Sequence, residues 1–191
     1  MYQRNTMKPE DSLDIIGRMI SDTRRSVLEQ SYVPFLTWGA TTVAVALLVY
    51  LLKTVAGNEN CYFYWFLIPV IGIPLTKMFS PRSKLIKTGI STSLRSIWWM
   101  LSVLLITFSV ASFFFQINTL FFILLLLSIG SFVSGAVIGY PFLKYSSMPG
   151  FITCVIMCFI TGTDQIPAFA AAIAVMMIVP GFKMRHDLKS L

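Results

Sequence analysis

The chain has 191 residues, of which 56% are apolar, 14% aromatic and only 12% charged, with fifteen Lys and Arg against eight Asp and Glu. A soluble domain carries about 25% charged and about 45–50% apolar residues, so this composition excludes an ordinary soluble fold. Apolar runs of about 20 residues recur along a chain of ordinary domain length, which predicts one integral membrane domain rather than a soluble domain with an anchor.

Residues 1–32 are polar and hold no apolar core of a cleavable signal, so the first span is expected to direct insertion itself. Within them, Ser12 to Gln30 reads as a cytoplasmic amphipathic helix. Ser12 is its candidate cap, and Asp14 lies in the first turn, where the helix dipole favours an anion. Leu13, Ile16, Ile20 and Val27, with Met19 beside them, give one apolar face. Asp14, Arg18, Asp22, Arg25 and Glu29 alternate in sign at steps of three or four on the other. The charged face is nearly neutral rather than lysine-rich, which makes headgroup attraction weak. A protein partner or a second copy of the chain is the sharper reading, with Ile16, Arg18, Ile20, Asp22 and Arg25 as the candidate contact residues. Pro34 is expected to break the chain between this helix and the first span.

Six apolar runs follow: Val33–Leu52, Tyr62–Phe79, Ser96–Phe115, Thr119–Tyr140, the short Gly150–Thr163 and Gln165–Phe182. They are continuous, without the alternating pattern of a barrel strand, so helices are expected. Cytoplasmic loops retain Lys and Arg. Placing both termini in the cytoplasm puts fourteen of the fifteen basic residues there and leaves Lys53 alone on the far side. The basic excess is therefore read as topology and not as a nucleic-acid surface. The stretch Ser80–Arg95 adds a basic loop able to touch anionic headgroups. Tyr62, Tyr64 and Trp65 sort to the outer interface, and Tyr32, Trp38, Trp98 and Trp99 to the inner one.

Proline and glycine mark the spans. The second contains Pro69, Gly72 and Pro74, the fourth Gly135, Gly139 and Pro141, and the sixth Pro180 and Gly181. The reading is a set of kinks and helix stops, with broken helices around a binding site as its alternative. Ser131, Gly135 and Gly139, four residues apart, form a small face along which a neighbouring helix can approach closely.

No charged residue falls in the interior of a span, Lys77 standing at the inner end of the second, and between Arg95 and Lys183 the only charges are Lys144 and Asp164, both in expected loops. That argues against proton-coupled transport through a membrane carboxylate. The only histidine, His186, lies in the tail beside Arg185 and Asp187, with no nucleophile, carboxylate pair or ligand set for it to serve. Cys154 and Cys158 share a face of the fifth segment and read as small buried apolar groups. Cys61 has no evident partner, so no disulfide framework is expected. No enzyme activity, cofactor or metal is expected.

The segments SLDIIGRMISDTRRSV, FLTWG, YWFLIPVIGIP and IVPG before a short basic tail resemble a family of small, functionally uncharacterised multi-span inner-membrane proteins of bacteria. The resemblance implies a bacterial inner membrane and carries no functional residue with it.

The expectation is thus an all-α polytopic membrane protein. Residues 1–32 form the cytoplasmic amphipathic segment, 33–182 six transmembrane helices in three hairpins, and 183–191 a short basic cytoplasmic tail. Its expected partners are the lipid bilayer, a cytoplasmic or membrane protein, and a second copy of itself. The leading function is a non-enzymatic scaffold or regulator. The first alternative is a substrate-capture subunit for the transport of an uncharged or apolar small molecule, docking a partner through Ala40 and Ala44. The second is a homo-oligomeric pore lined by Thr37, Thr41, Ser102, Thr107, Ser109 and Ser112.

Overall fold

A long apolar stretch in which nearly every residue tolerates helical backbone holds its own hydrogen bonds most cheaply as one continuous helix. The computed structural model, which describes residues 9–57, 59–80, 89–115 and 117–190, shows this in its first element. Helix α1 runs unbroken from Pro9 to Val55, 47 residues, about 70 Å at the usual rise per residue. The break expected at Pro34 does not occur, and Ser12 lies inside the helix rather than capping it. Proline removes one amide donor, but the neighbouring hydroxyls stay within the helix. Ser31 Oγ donates to the Val27 carbonyl at 2.8 Å, and Thr37 Oγ1 to the Val33 carbonyl at 2.9 Å. Leu28, Val33 and Phe35 are buried on either side of the proline, so packing carries the helix through a position where local preference alone would end it.

Among the described residues there is no strand. After α1 come a 3-10 segment at Glu59–Phe66, α2 (Leu67–Phe79), α3 (Gly89–Phe114) and α4 (Thr119–Ile138). They are followed by α5 (Pro141–Ser146), α6 (Met148–Met157), a short 3-10 turn at Gly162–Asp164, α7 (Gln165–Ile173), a π-helical turn at Ala174–Ile178 and α8 (Val179–Lys189). Four stretches are long and apolar enough to cross a membrane: Arg25–Val55, Gly89–Ser112, Thr119–Ile138 and Gly162–Lys189. The expected segments Tyr62–Phe79 and Gly150–Thr163 are not among them. The first yields the shorter apolar helix Phe63–Phe79. The second is helical only to Met157, where the Gln165 side chain folds back to donate to the Met157 and Ile160 carbonyls at 3.3 and 2.5 Å.

Helix ends follow local chemistry in some places and tertiary packing in others. Asn118 Oδ1 accepts from the Phe121 amide at 3.2 Å and starts α4. Gly139, in the left-handed region at φ 70°, ends it, and Pro141 opens α5. Pro74 does not end α2, which continues to Phe79, and Pro180 with Gly181 does not end the last helix, which continues to Lys189. The widened turn before Pro180, with the Val179 amide on the Ala174 carbonyl, lets the chain carry the proline without leaving helical structure. The segment expected as a tail is thereby helical, and Met184 within it is fully buried.

α1 packs along α2, α7, the π turn and α8, so the first and last helices lie against each other. α4 packs against α3, α5, α6 and α7. The core between them gathers Leu28, Leu124, Met157, Phe169, Ile173 and Met176. One end of the molecule is defined by the contacts of Gly181 with Leu36, of Thr37 with Thr76, and of Phe35 with Trp98. The opposite end carries Cys61, the Trp65–Phe169 ring contact at 5.7 Å and the turn at Gly162–Asp164.

Candidate functional site

The N-terminal turns of α1 carry the contact residues expected from sequence. The backbone is helical throughout, while the side chains of Ile16, Arg18, Ile20 and Asp22 lie outside the described residues. Arg25 is exposed, with its Nε 3.4 Å from Glu29 Oε1 one turn further on. Ile15 and Met19 are exposed apolar residues on this segment, at 44% and 65%. Hydrocarbon of about 30 Å takes about 20 helical residues. A helix of 47 residues therefore has more than half its length to spare beyond one crossing.

The proline and glycine positions have distinct surroundings. In α2, Gly72 is buried against Trp38, where an added Cβ would stand 3.3 Å from the indole, while Pro69 and Pro74 are exposed. In α4, an added Cβ at Gly135 would stand 2.5 Å from the Lys144 amide nitrogen, so the close neighbour of the small face is the backbone of α5. Gly139 faces open space and serves the turn, and Pro141 follows as the first residue of α5. Ser131 is fully buried and its Oγ has no hydrogen-bond partner. One turn earlier, Ser128 Oγ donates to the Leu124 carbonyl at 2.7 Å, touches Met176 Sδ at 3.7 Å and fills the space that a side chain at Gly150 would need.

All six candidate pore hydroxyls are engaged within their own helices. Thr37, Thr41, Ser102, Thr107, Ser109 and Ser112 each donate to a carbonyl three or four residues earlier, at 2.7–2.9 Å. Thr37 also meets Thr76 Oγ1 at 2.9 Å, tying α1 to α2. Cys154 is buried with its Sγ near the Phe121 carbonyl, and the exposed Cys158 donates to the Cys154 carbonyl. Among the described residues no three His, Cys, Asp or Glu side chains come together as a metal would need. Asp164 is exposed in its turn. Ala40 and Ala44 are exposed on α1, with Leu47, Leu48 and Leu51 along the same side.

Two polar contacts escape sequence reasoning. Trp98 Nε1 donates to Ser134 Oγ at 3.0 Å, Ser134 passes its own hydrogen to the Gly130 carbonyl at 2.6 Å, and the indole stands edge-on to Phe35 at 5.9 Å. Tyr140 Oη donates to Asp187 Oδ2 at 2.6 Å and joins the start of α5 to the end of α8. His186 Nδ1 lies 3.7 Å from the same carboxylate, with its side chain 84% exposed.

No family model, curated protein or solved structure matches this chain.

Proposed function

We propose that the protein is a non-enzymatic integral membrane protein with six crossings, both termini cytoplasmic, in the inner membrane of a bacterium. In this reading it works as a scaffold or regulator that presents the N-terminal part of α1 to a protein partner. The carrying observation is the unbroken 47-residue α1, whose C-terminal half is packed into the bundle while Ile15 and Met19 near its start are exposed. A segment meant only to lie on lipid gains nothing from being rigidly continuous with a spanning helix. A segment that transmits a partner's position gains a lever.

The six-crossing reading keeps the two shorter segments as spans. Phe63–Phe79 and the helical run from Pro141 to Met157 each come to about 17 residues, at the lower limit for a crossing. It also keeps fourteen of the fifteen basic residues on the cytoplasmic side. A second reading, a substrate-capture component of a transporter, draws on the exposed Ala40 and Ala44, because small residues on an outward face let a partner's helix approach closely.

One experiment addresses both. Affinity purification from membranes is compared for the full chain, for the double variant Ile16→Asp with Ile20→Asp, and for Ala44→Trp, with insertion checked by membrane fractionation. The scaffold reading expects the Ile16 and Ile20 variant to lose a partner that Ala44→Trp retains. Loss with Ala44→Trp alone moves the assignment to the transport component. An unchanged set of partners in both variants refutes the scaffold role.

A further inference from the structure

The end of the molecule near Phe35, Trp98 and Gly181 is strongly and unevenly charged. The two carboxylates there whose side chains the structure describes are both engaged, Glu29 with Arg25 and Asp187 with Tyr140, while the side chains of Glu10, Asp11, Asp14 and Asp22 lie outside the described ones. Lys77, Arg95, Lys144, Lys183, Arg185 and Lys189 form no ion pair among the described residues. Two of these six are held in place by aromatic rings. Lys144 Nζ stands 5.4 Å from the centroid of Phe132, and Lys183 Nζ stands 4.1 Å from that of Phe142. The rings are themselves fixed. Phe132 meets Phe151 edge-on at 6.5 Å, and Phe142 meets Tyr140 at 6.5 Å.

Depth gives these lysines their meaning. Counting about 20 residues of hydrocarbon back from Val55 places the boundary near Phe35 and Leu36. Gly181 packs against Leu36, so Lys183, two residues on, stands where hydrocarbon gives way to headgroups. Below Lys144 the outer sides of α4 and α6 expose Ile129, Ile152, Val155 and Ile156. The surface thus offers ammonium groups at headgroup level above an apolar face, which is the charge and polarity pattern of a phosphate-bearing lipid.

We propose that Lys144 on α5 and Lys183 on α8 bind the headgroup phosphate of an anionic phospholipid of the surrounding bilayer, with its acyl chains along the outer faces of α4 and α6. Cation–π contact holds each ammonium near its binding position, so less side-chain freedom is lost on binding than for a lysine extended into water. The proposal makes no use of the N-terminal turns of α1, and its failure would leave the interaction role of that segment untouched.

The test is a native mass spectrometry titration of the purified full chain in neutral detergent with phosphatidylglycerol and, separately, phosphatidylcholine. At about 1 kcal/mol per lysine, K144Q and K183Q should each weaken phosphatidylglycerol binding about 5-fold, and the double variant about 30-fold. K144R with K183R should retain binding. R185Q with K189Q removes the same charge from exposed positions on α8 and should cost less than about 5-fold. Helix content by circular dichroism verifies folding, and the single variants carry the test if the double variant does not fold. Three results overturn the proposal: equal losses in K144Q/K183Q and R185Q/K189Q, equal affinity of the unaltered chain for the two lipids, or displacement of the lipid by inorganic phosphate.

Discussion

Substitution of Gly135 by alanine isolates the close approach of α4 and α5. The new Cβ would stand 2.5 Å from the Lys144 amide nitrogen, 2.9 Å from its Cα and 3.0 Å from the Leu143 carbonyl carbon. All three are backbone atoms, so no rotamer change relieves the clash. Reaching ordinary contact at 3.4 Å requires α5 to retreat by roughly 1 Å. Its freedom to retreat is small, because the left-handed turn at Gly139 and the Tyr140–Asp187 bond hold its start. Alanine gains about 1 kcal/mol over glycine in helix propensity, and overpacking costs about 1–3 kcal/mol. With only backbone atoms to yield, the clash should fall in the upper part of that range and win by about 1–2 kcal/mol. Gly130→Ala is the control. Its Cβ would meet Leu101 Cδ1 at 2.6 Å, the mobile end of a side chain on a helix that packs chiefly on α4. Leu101 can turn away, so the clash and the propensity gain should nearly cancel, within about 0.5 kcal/mol of the unaltered chain. The assay is reversible unfolding in mixed micelles, followed by circular dichroism with rising denaturing detergent. A Gly135→Ala protein as stable as Gly130→Ala would refute the packing of α5 against α4.

Three further substitutions, two at one contact and one in α1, are read by the same assay. Tyr140→Phe removes the donor to a half-buried carboxylate and should cost about 1–2 kcal/mol, while Asp187→Asn, which keeps an acceptor, should cost less; a neutral Tyr140→Phe would deny the link between α5 and α8. Pro34→Ala restores an amide to a helix that is already continuous and should stabilise by about 1–3 kcal/mol; a loss of stability would show that Pro34 belongs to a joint after all.

Much of the fold is legible from hydropathy, because an apolar run long enough to span has little choice but to be helical. Four of the expected segments correspond to stretches of spanning length, and the limits of α4 follow from Asn118, Gly139 and Pro141. What is not legible are the prolines whose local preference is outweighed by packing. Pro34 and Pro180 read as a break and a stop, yet both sit within helices whose neighbours are buried: Val33 and Phe35 in one case, Gly181 and Met184 in the other. A turn rule sees only the missing donor, and not the buried contacts that would be lost if the helix ended there. The fifth segment shows the reverse. Its hydropathy continues to Ile160, but Gln165 caps the carbonyls near Met157 and the helix stops. The Tyr140–Asp187 and Trp98–Ser134 contacts join residues far apart in the chain, and no local pattern announces either.

The continuity of α1 changes what its N-terminal turns can do. A joint at Pro34 would let a bound partner swing the segment without disturbing the bundle. The unbroken helix has no such joint, and Leu28, Phe35 and Leu36 are held in the core or against Trp98 and Gly181. The contacts of this part of α1 lead to α8 through Gly181 and to α3 through the ring of Trp98. From Trp98 they continue to Ser134 on α4, and from α8 through Asp187 to Tyr140. Both routes converge on the Gly135–Gly139 end of α4, beside the two lysines held over Phe132 and Phe142. The proposed interaction segment and the proposed lipid site thus meet one set of contacts, and a partner bound at the first is expected to change lipid occupancy at the second. A partner that moved the N-terminal turns without altering lipid occupancy at Lys144 and Lys183 would show instead that the helix yields between Arg25 and Phe35.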